Sequence, residues 1–507
     1  MRYLSLPALL AVILSFTKPV FASENKSSFS KKQVMSDLTQ VVRLLKKFHP
    51  NLYTHRRPKE FQAIVKKVRG DLSEGMSRLD AITQIQKILA SVCDEHTSIV
   101  LSPKNERPTF EQAKYFSSSL ISRQGRIVVG NNSKSTNSEV ILEVGNRTSD
   151  EINEFMQNLQ SQDGCLDPKT HVIDGSTYLD TLFLGNYLYN GNENVQVKLR
   201  NHSNQIVNRN QSFTGFSGIA TSLGFVYAMK SILSNIVLKQ NNFNYENTDF
   251  NRDYFNKEIE SYLFYNGQKN VYFLKIGSFV GGKKFDTLIN NTMRKVIAAK
   301  PAHVIIDLTD NPGGRILSAS KFLSYFLATG HRPARYLRVK NPAGRIKDPI
   351  IWKSVKRKKA HFKSMRTFRR VKQRRGQYKL PYRSRSYGNP DYKGKITVLV
   401  GPRTHSAATM VAVILKNKRN AKIIGHINKR SASTACYAPG GSFRLKNTRL
   451  LVDIPFACYD RDRKKYSGQE ILKPDIEVNP MVSSSSNLGG RIIEAALQEL
   501  EVLEITQ

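Results

Sequence analysis

In LDAITQIQKILASVC, residues 79–93, apolar side chains fall at Leu79, Ile82, Ile85, Leu89 and Val92. That is the three-and-four spacing of one helix face. The pattern predicts helical structure over residues 30–92, ending at DEHTSIVL where β-branched residues take over. GRIVVG, EVILEVG and NVQVKLR predict strands, and SDEINEFMQNL predicts a helix opened by Ser149 with Glu151 and Glu154 in its first turns. Residues 120–210 thus form a small mixed module. Asn- and Ser-rich text over 201–256 predicts loops around one helix, FVYAMKSILSNIVL.

From residue 270 strands and helices alternate. VYFLKIGSF is followed by the helix FDTLINNTMRKVIAAK, and HVIIDL by the helix SASKFLSYFLA. KITVLVG, SAATMVAVILKN and AKIIG repeat the unit. HVIIDL is almost wholly apolar, as strands buried on both faces are. The expected fold class is therefore α/β, a parallel-rich sheet with right-handed crossovers. SFRLK and RLLVDIPFA predict a hairpin, and GGRIIEAALQELEVL an amphipathic closing helix over 485–507.

At 507 residues the chain exceeds one ordinary core, so two or three domains are expected. Residues 1–22 have the form of an export signal: Arg2 supplies charge, LSLPALLAVILSF the apolar segment, and residues 20–22 a small-residue cleavage pattern. The run is short and contains Pro7, which argues against a membrane span. A periplasmic or secreted protein is expected. Formal charge is +39, or +37 without Arg2 and Lys18, and such a surface favours anionic partners. The charge concentrates in an insertion, residues 345–395, with 19 Lys or Arg against Asp348 and Asp391. Aromatics from Trp352 to Tyr387 interleave it. A solvated loop is the plainer reading of this segment; a dock for acidic substrate, anionic envelope lipid or nucleic acid is the functional one. Export weakens the nucleic-acid reading, since an exported protein rarely meets a genome. The four cysteines, Cys93, Cys165, Cys436 and Cys458, form no metal motif, so no metal or cofactor is expected. Cys436 and Cys458 either bridge in an oxidising compartment or stay as two buried thiols.

The chemistry sits at two strand ends. IIDLTDNPGG, residues 305–314, runs from a buried strand into a turn where Pro312 fixes φ and Gly313 and Gly314 admit conformations closed to other residues. A helix follows, so free amides at its start can face a negative oxygen. Taken alone this is ordinary turn chemistry. In VLVGPRTHSAATM, residues 398–410, Ser406 lies where a buried strand meets a helix of small residues. A serine there is either a helix cap, the reading favoured by local physics alone, or a nucleophile with the Ala407 amide as oxyanion donor. His405 is a poor base for it, because adjacent helical residues do not face each other.

FLKIGSF, IIDLTDNPGG, VLVGPRTHSAATM, KIIG and KPDIEV, in that order over residues 270–480, resemble the blocks of the tail-specific, or C-terminal-processing, serine protease superfamily. The helix ending in DEHT and the EVILEVGNRTSDEINEFM module resemble that family's N-terminal helical domain (here 30–105) and PDZ-like α+β module (here 115–215), ahead of an α/β protease core at 255–480. The resemblance implies Ser406 as nucleophile and Gly313 with Gly314 in the oxyanion hole. The processing branch takes a lysine base from a segment that here is HINKRSAS; Ser431 holds its position and Lys429 is two places off register. The tricorn-core and CPAF-type branch instead uses a distant histidine at the His-Thr junction, which is His96 in CDEHTSIVL. That branch also implies an orienting carboxylate before the Pro-Asp-Ile block. Glu470 is the choice, with Asp460 and Asp462 as fallbacks.

The implied function is an exported serine endopeptidase with a Ser406–His96–Glu470 triad acting on protein or peptide substrates, acidic ones included, with some relatives homodimeric. Two other classes compete: an idle family member that binds peptide or lipid in the inherited cleft, suggested by the missing lysine, and an anionic-surface or nucleic-acid binder built on residues 345–395.

Overall fold

In this computed structural model the described residues are 28–101, 107–116, 120–123, 126–129, 139–161, 178–201, 203–215, 238–246, 262–327, 336–339, 378–381, 392–426, 436–460, 472–478 and 488–505. The expected leader, the helix FVYAMKSILSNIVL apart from Leu238, and nearly all of the basic insertion lie outside them. Among the described residues no helix is long and apolar enough to cross a membrane.

Three helices come first. α1 (Lys31–Phe48) is opened by a Ser30/Gln33 capping box and buries Val34, Leu38, Val41, Leu45 and Phe48 along one stripe. α2 (Pro58–Gly70) starts on Pro58, whose missing N–H is harmless at a first position. α3 (Arg78–Ala90) is capped by Ser77 and buried on nearly every side. After it Cys93 turns the chain with φ +57, and the short strand β1 (Ser98–Ile99) follows.

A seven-stranded mixed module comes next. Its main path is built from β2 (Tyr115–Phe116), β3 (Leu120–Arg123), β4 (Arg126–Val129), β5 (Val140–Val144), β6 (Asn194–Arg200) and β7 (Ile206–Thr214), in the order β2-β7-β6-β5-β4-β3. Helices α4 (Ser149–Gln157) and α5 (Tyr178–Leu188) accompany it, and its apolar side chains join one core with α1–α3. The cap of α4 is Thr148, one residue before the expected Ser149: Thr148 accepts from the Glu151 amide, while the Ser149 hydroxyl donates to Ile141 O.

The remainder builds two further sheets. In chain order the elements are β8 (Asn244–Glu246), β9 (Tyr262–Asn266), β10 (Val271–Lys275), α6 (Lys283–Ala299), β11 (His303–Asp307), α7 (Ile316–Leu323), β12 (Tyr336–Val339) and β13 (Tyr378–Pro381). Then come β14 (Lys395–Val400), α8 (Ala407–Arg419), β15 (Lys422–Gly425), β16 (Cys436–Arg444), β17 (Leu451–Asp460), β18 (Ile476–Glu477) and α9 (Leu488–Ile505). One sheet has the order β8-β9-β10-β11-β14-β15-β18, and its neighbours from β10 to β18 are parallel. Both faces are covered. Val304 and Ile306 of β11 pack with α6, α7 and α8, while Ile305 packs with α9. Each such side chain contributes about 1.5–3 kcal/mol when withdrawn from water, which is why this strand shows no polar alternation.

The other sheet has the order β13-β12-β17-β16, with β1 added to β17 in the register Val452↔Ile99 and Asp453↔Ser98. Its hairpin turn is clasped by the first helices. Buried Asp37 accepts from the Asn447 and Thr448 amides at 3.0 and 2.7 Å and from both of their side chains. Arg78 donates to Thr448 O at 2.8 Å. Of the two alternatives for the C-terminal cysteines, the bridge is present: Cys436 and Cys458 face each other across β16 and β17 and are disulfide-bonded. Cys93 is disulfide-bonded as well.

Candidate active site

Ser406 stands at the N-terminus of α8, directly beyond buried β14. Its backbone has φ +54 and ψ −117, and its side chain makes no capping hydrogen bond. For a residue with a Cβ this conformation costs about 1–3 kcal/mol and persists only where its surroundings enforce it. The enforcement is visible. Thr404 donates its hydroxyl to Leu308 O at 2.7 Å and accepts the Gly401 amide at 2.8 Å, while the His405 amide donates to Asn311 O at 3.1 Å. The loop before Ser406 is therefore pinned to the end of β11. The capping role favoured by local physics does not occur.

The turn after β11 is held as tightly. Asp307 Oδ1 accepts from the amide and hydroxyl of Thr309 at 2.8 and 2.6 Å. Buried Asn311 donates to Ile276 O and accepts the Gly313 amide, both at 2.8 Å. Gly313 O accepts from the Phe279 amide and the Ser278 hydroxyl at 2.8 and 2.9 Å. Lys275 Nζ lies 3.2 Å from Asp310 and 3.6 Å from Asp307. Burial works against its charge, but those two carboxylates hold the ammonium above its usual range. Gly313 has φ +94 and Gly314 φ +131. A Cβ on Gly313 would lie 2.6 Å from His405 O and 2.8 Å from both Ala407 N and Ser406 Cβ. The glycine thus leaves a space beside the serine that any side chain would fill. The amides of Gly314 and Ala407 donate to no described group, and Ala407 begins α8, where the helix dipole favours negative charge.

His96 arrives from 310 residues away. The loop after α3 is fixed by Asp94, which accepts from the His96 amide at 3.4 Å, from the Thr97 hydroxyl and from His49 Nε2 at 3.0 Å. The Ile99 amide donates to Gln86 Oε1 at 3.0 Å, and β1 is seated on β17. So held, His96 Nε2 lies 3.2 Å from Ser406 Oγ. On the Nδ1 side are Glu95 Oε1 at 3.8 Å and Asp94 Oδ1 at 4.0 Å. Glu95 Oε2 pairs with His405 Nε2, and the His96 and His405 rings stack with centroids 5.5 Å apart. Sequence reasoning passed over Glu95. Its only signal is adjacency to His96, which a solvated acid shows equally well. Glu470 and Asp462 lie outside the described residues, as do Lys429 and Ser431; Asp460 ends β17 opposite Tyr336.

His49 Nε2, Asp94 Oδ2 and Cys436 Sγ also gather within 4.8 Å of one another. They do not fit a metal. The sulfur is in a disulfide, and the Asn51 amide donates to His49 Nδ1 at 3.2 Å, which leaves the ring proton on Nε2 facing Asp94.

The family model of Peptidase family S41 matches residues 270–478. No curated protein matches the chain. Among solved structures, the chain is similar to mature CPAF complexed with lactacystin, with 12% identity, TM-score 0.53 and coverage of 93% of this chain and 98% of that one. A mutant of CPAF gives 13% identity, TM-score 0.54 and coverage of 92% and 96%. At such identities the likeness is one of fold.

Proposed function

We propose, from the match of residues 270–478 to the model of Peptidase family S41, that the chain is an exported serine endopeptidase with Ser406 as its nucleophile. Neutral His96 takes the Ser406 proton as Oγ attacks the scissile carbonyl, then returns it to the leaving amine. The tetrahedral oxyanion lies against the Gly314 and Ala407 amides, with Gly313 supplying room and rigidity. Glu470 is the orienting carboxylate by family resemblance. The helical segment 30–105 brings the base, and residues 115–215 form the PDZ-like module. A protein or peptide is the substrate, with the basic insertion drawing acidic substrate or envelope lipid toward the core. The leader-like residues 1–22 and the Cys436–Cys458 bridge support export.

The observation that carries this reading is the 3.2 Å approach of His96 Nε2 to Ser406 Oγ, beside two amides with no other described partner. Strain at Ser406 adds to it, since a mere structural serine gains nothing from φ +54. The test is cleavage of a denatured protein substrate by purified wild type and Ser406→Ala. Activity should vanish in the variant; persistent cleavage at the wild-type rate overturns the assignment.

A further inference from the structure

We propose that Glu95 is a second positioning carboxylate of this site, and that His405, as an imidazolium, ties it to the oxyanion turn. The inference rests on the serine-peptidase reading above and adds two residues to it.

Of the two described carboxylates near His96 Nδ1, Asp94 is already committed. Its oxygens accept from His49 Nε2, the Thr97 hydroxyl and the His96 amide, so it shapes the loop. Glu95 is differently placed. Its side chain is only 6% exposed, and its two oxygens diverge toward two imidazoles, Oε1 toward His96 Nδ1 at 3.8 Å and Oε2 against His405 Nε2. A buried carboxylate needs a compensating charge. His405 supplies one. An acceptor faces each of its ring nitrogens, Glu95 Oε2 at Nε2 and Pro312 O at Nδ1, 3.4 Å away. As an imidazolium, His405 would neutralise Glu95 at Nε2 and donate to Pro312 O from Nδ1.

The consequence is a chain of contacts, Pro312–His405–Glu95–His96–Ser406, that closes around the reacting atoms. Pro312 belongs to the oxyanion turn, so the same cation that neutralises Glu95 also bears on Gly313 and Gly314. Described titratable groups near it are His49 from the end of α1, Asp94 and His96 from the loop after α3, and His405 from the loop before α8. When His96 takes the serine proton, the Glu95 charge stabilises the imidazolium that forms. When His405 loses its proton at alkaline pH, one link of the chain is lost and the turn loosens from Glu95. His405 and Glu95 are positioning residues: they act through His96 and the turn and do not touch substrate.

The experiment measures the rate at which a fluorophosphonate probe labels Ser406 across pH from about 5 to about 10, which requires no natural substrate. Wild type, Glu95→Gln and His405→Gln are compared. Glu95→Gln should slow labelling by about 10²-fold, the loss expected when a reacting group is misplaced by about 1 Å. His405→Gln should lose the alkaline limb that wild type shows. If Glu95→Gln follows the wild-type profile, or the alkaline limb survives in His405→Gln, the inference fails while the peptidase stands. If folded wild type is not labelled at all, the peptidase reading itself fails. His405→Lys keeps a cation at this position, and its rate at high pH should exceed that of His405→Gln.

Discussion

Replacing Gly313 by alanine is the sharpest probe of the turn beside Ser406. At φ +94 an L-residue costs about 1–2 kcal/mol in backbone strain alone. The added Cβ would also meet His405 O at 2.6 Å, Ala407 N at 2.8 Å and Ser406 Cβ at 2.8 Å. None of these is the flexible end of a side chain, so the turn and the serine loop must separate. Loss of one oxyanion donor lowers kcat by about 10²–10³-fold, and a shift of this kind should do the same, equivalent to about 3–4 kcal/mol of transition-state stabilisation. Gly282→Ala is the control. It has a comparable φ of +102 but nothing within 4 Å of its Cβ, so it carries the strain without the collision. Labelling of Ser406 and peptide hydrolysis should fall in Gly313→Ala and hold in Gly282→Ala, with thermal melts showing both variants folded. Equal labelling rates in wild type and folded Gly313→Ala would refute the placement of this turn in the reacting centre.

Two further outcomes concern stability. Burial, aided by Lys395, lowers His303 from its ordinary value of 6.5 to about 4; the unfolded chain then binds this proton more readily, so stability is full above about pH 6.5 and falls by roughly 3 kcal/mol as pH drops toward 4. Chemical denaturation from pH 7 to pH 4 should show that decline in wild type and a shallower one in His303→Gln, which cannot titrate. Asp37→Ala leaves the Asn447 and Thr448 donors without their buried acceptor, and should destabilise by about 1–3 kcal/mol for a buried donor left unmade and lower Ser406 labelling, both read on the same sample by a melting curve and probe incorporation.

The parallel core was legible because its strands are apolar on both faces. Val304, Ile305 and Ile306 cannot be placed on a one-sided sheet, and the helices between them show the helical period clearly. The two strand-end segments were legible too, since a glycine pair and a serine beside alanines stand out against that apolar background. What stayed hidden depends on side-chain orientation in loops, where no period applies. Thr148 and Ser149 are both good caps, and only the hydrogen bond to Ile141 O shows that Ser149 is otherwise engaged. Glu95 lies in a turn whose direction is set by Cys93 and Asp94, so its contact with His405, 310 positions away in sequence, left no trace in local pattern. Ser406 looked like a cap because serine caps well, and the positive φ that removes it from that role is enforced by Thr404 and Asn311 rather than by its own neighbours in sequence.

The site draws its halves from two sheets, and this decides what controls it. Ser406 and the glycine turn sit at the C-terminal ends of β14 and β11 in the parallel sheet. His96 and Glu95 precede β1, which is held on the other sheet by its pairing with β17. The position of β17 depends in turn on the turn clasped by Asp37, Gln40 and Arg78 and on the Cys436–Cys458 bridge. His405 makes two contacts across the gap, with Glu95 and with the ring of His96. One face of its ring meets the base-bearing loop, and the other nitrogen meets the oxyanion turn. A residue rejected as a proton acceptor from its place beside Ser406 thus has a different connection to it: its side chain joins the loop that carries Ser406 to the loop that carries Glu95 and His96.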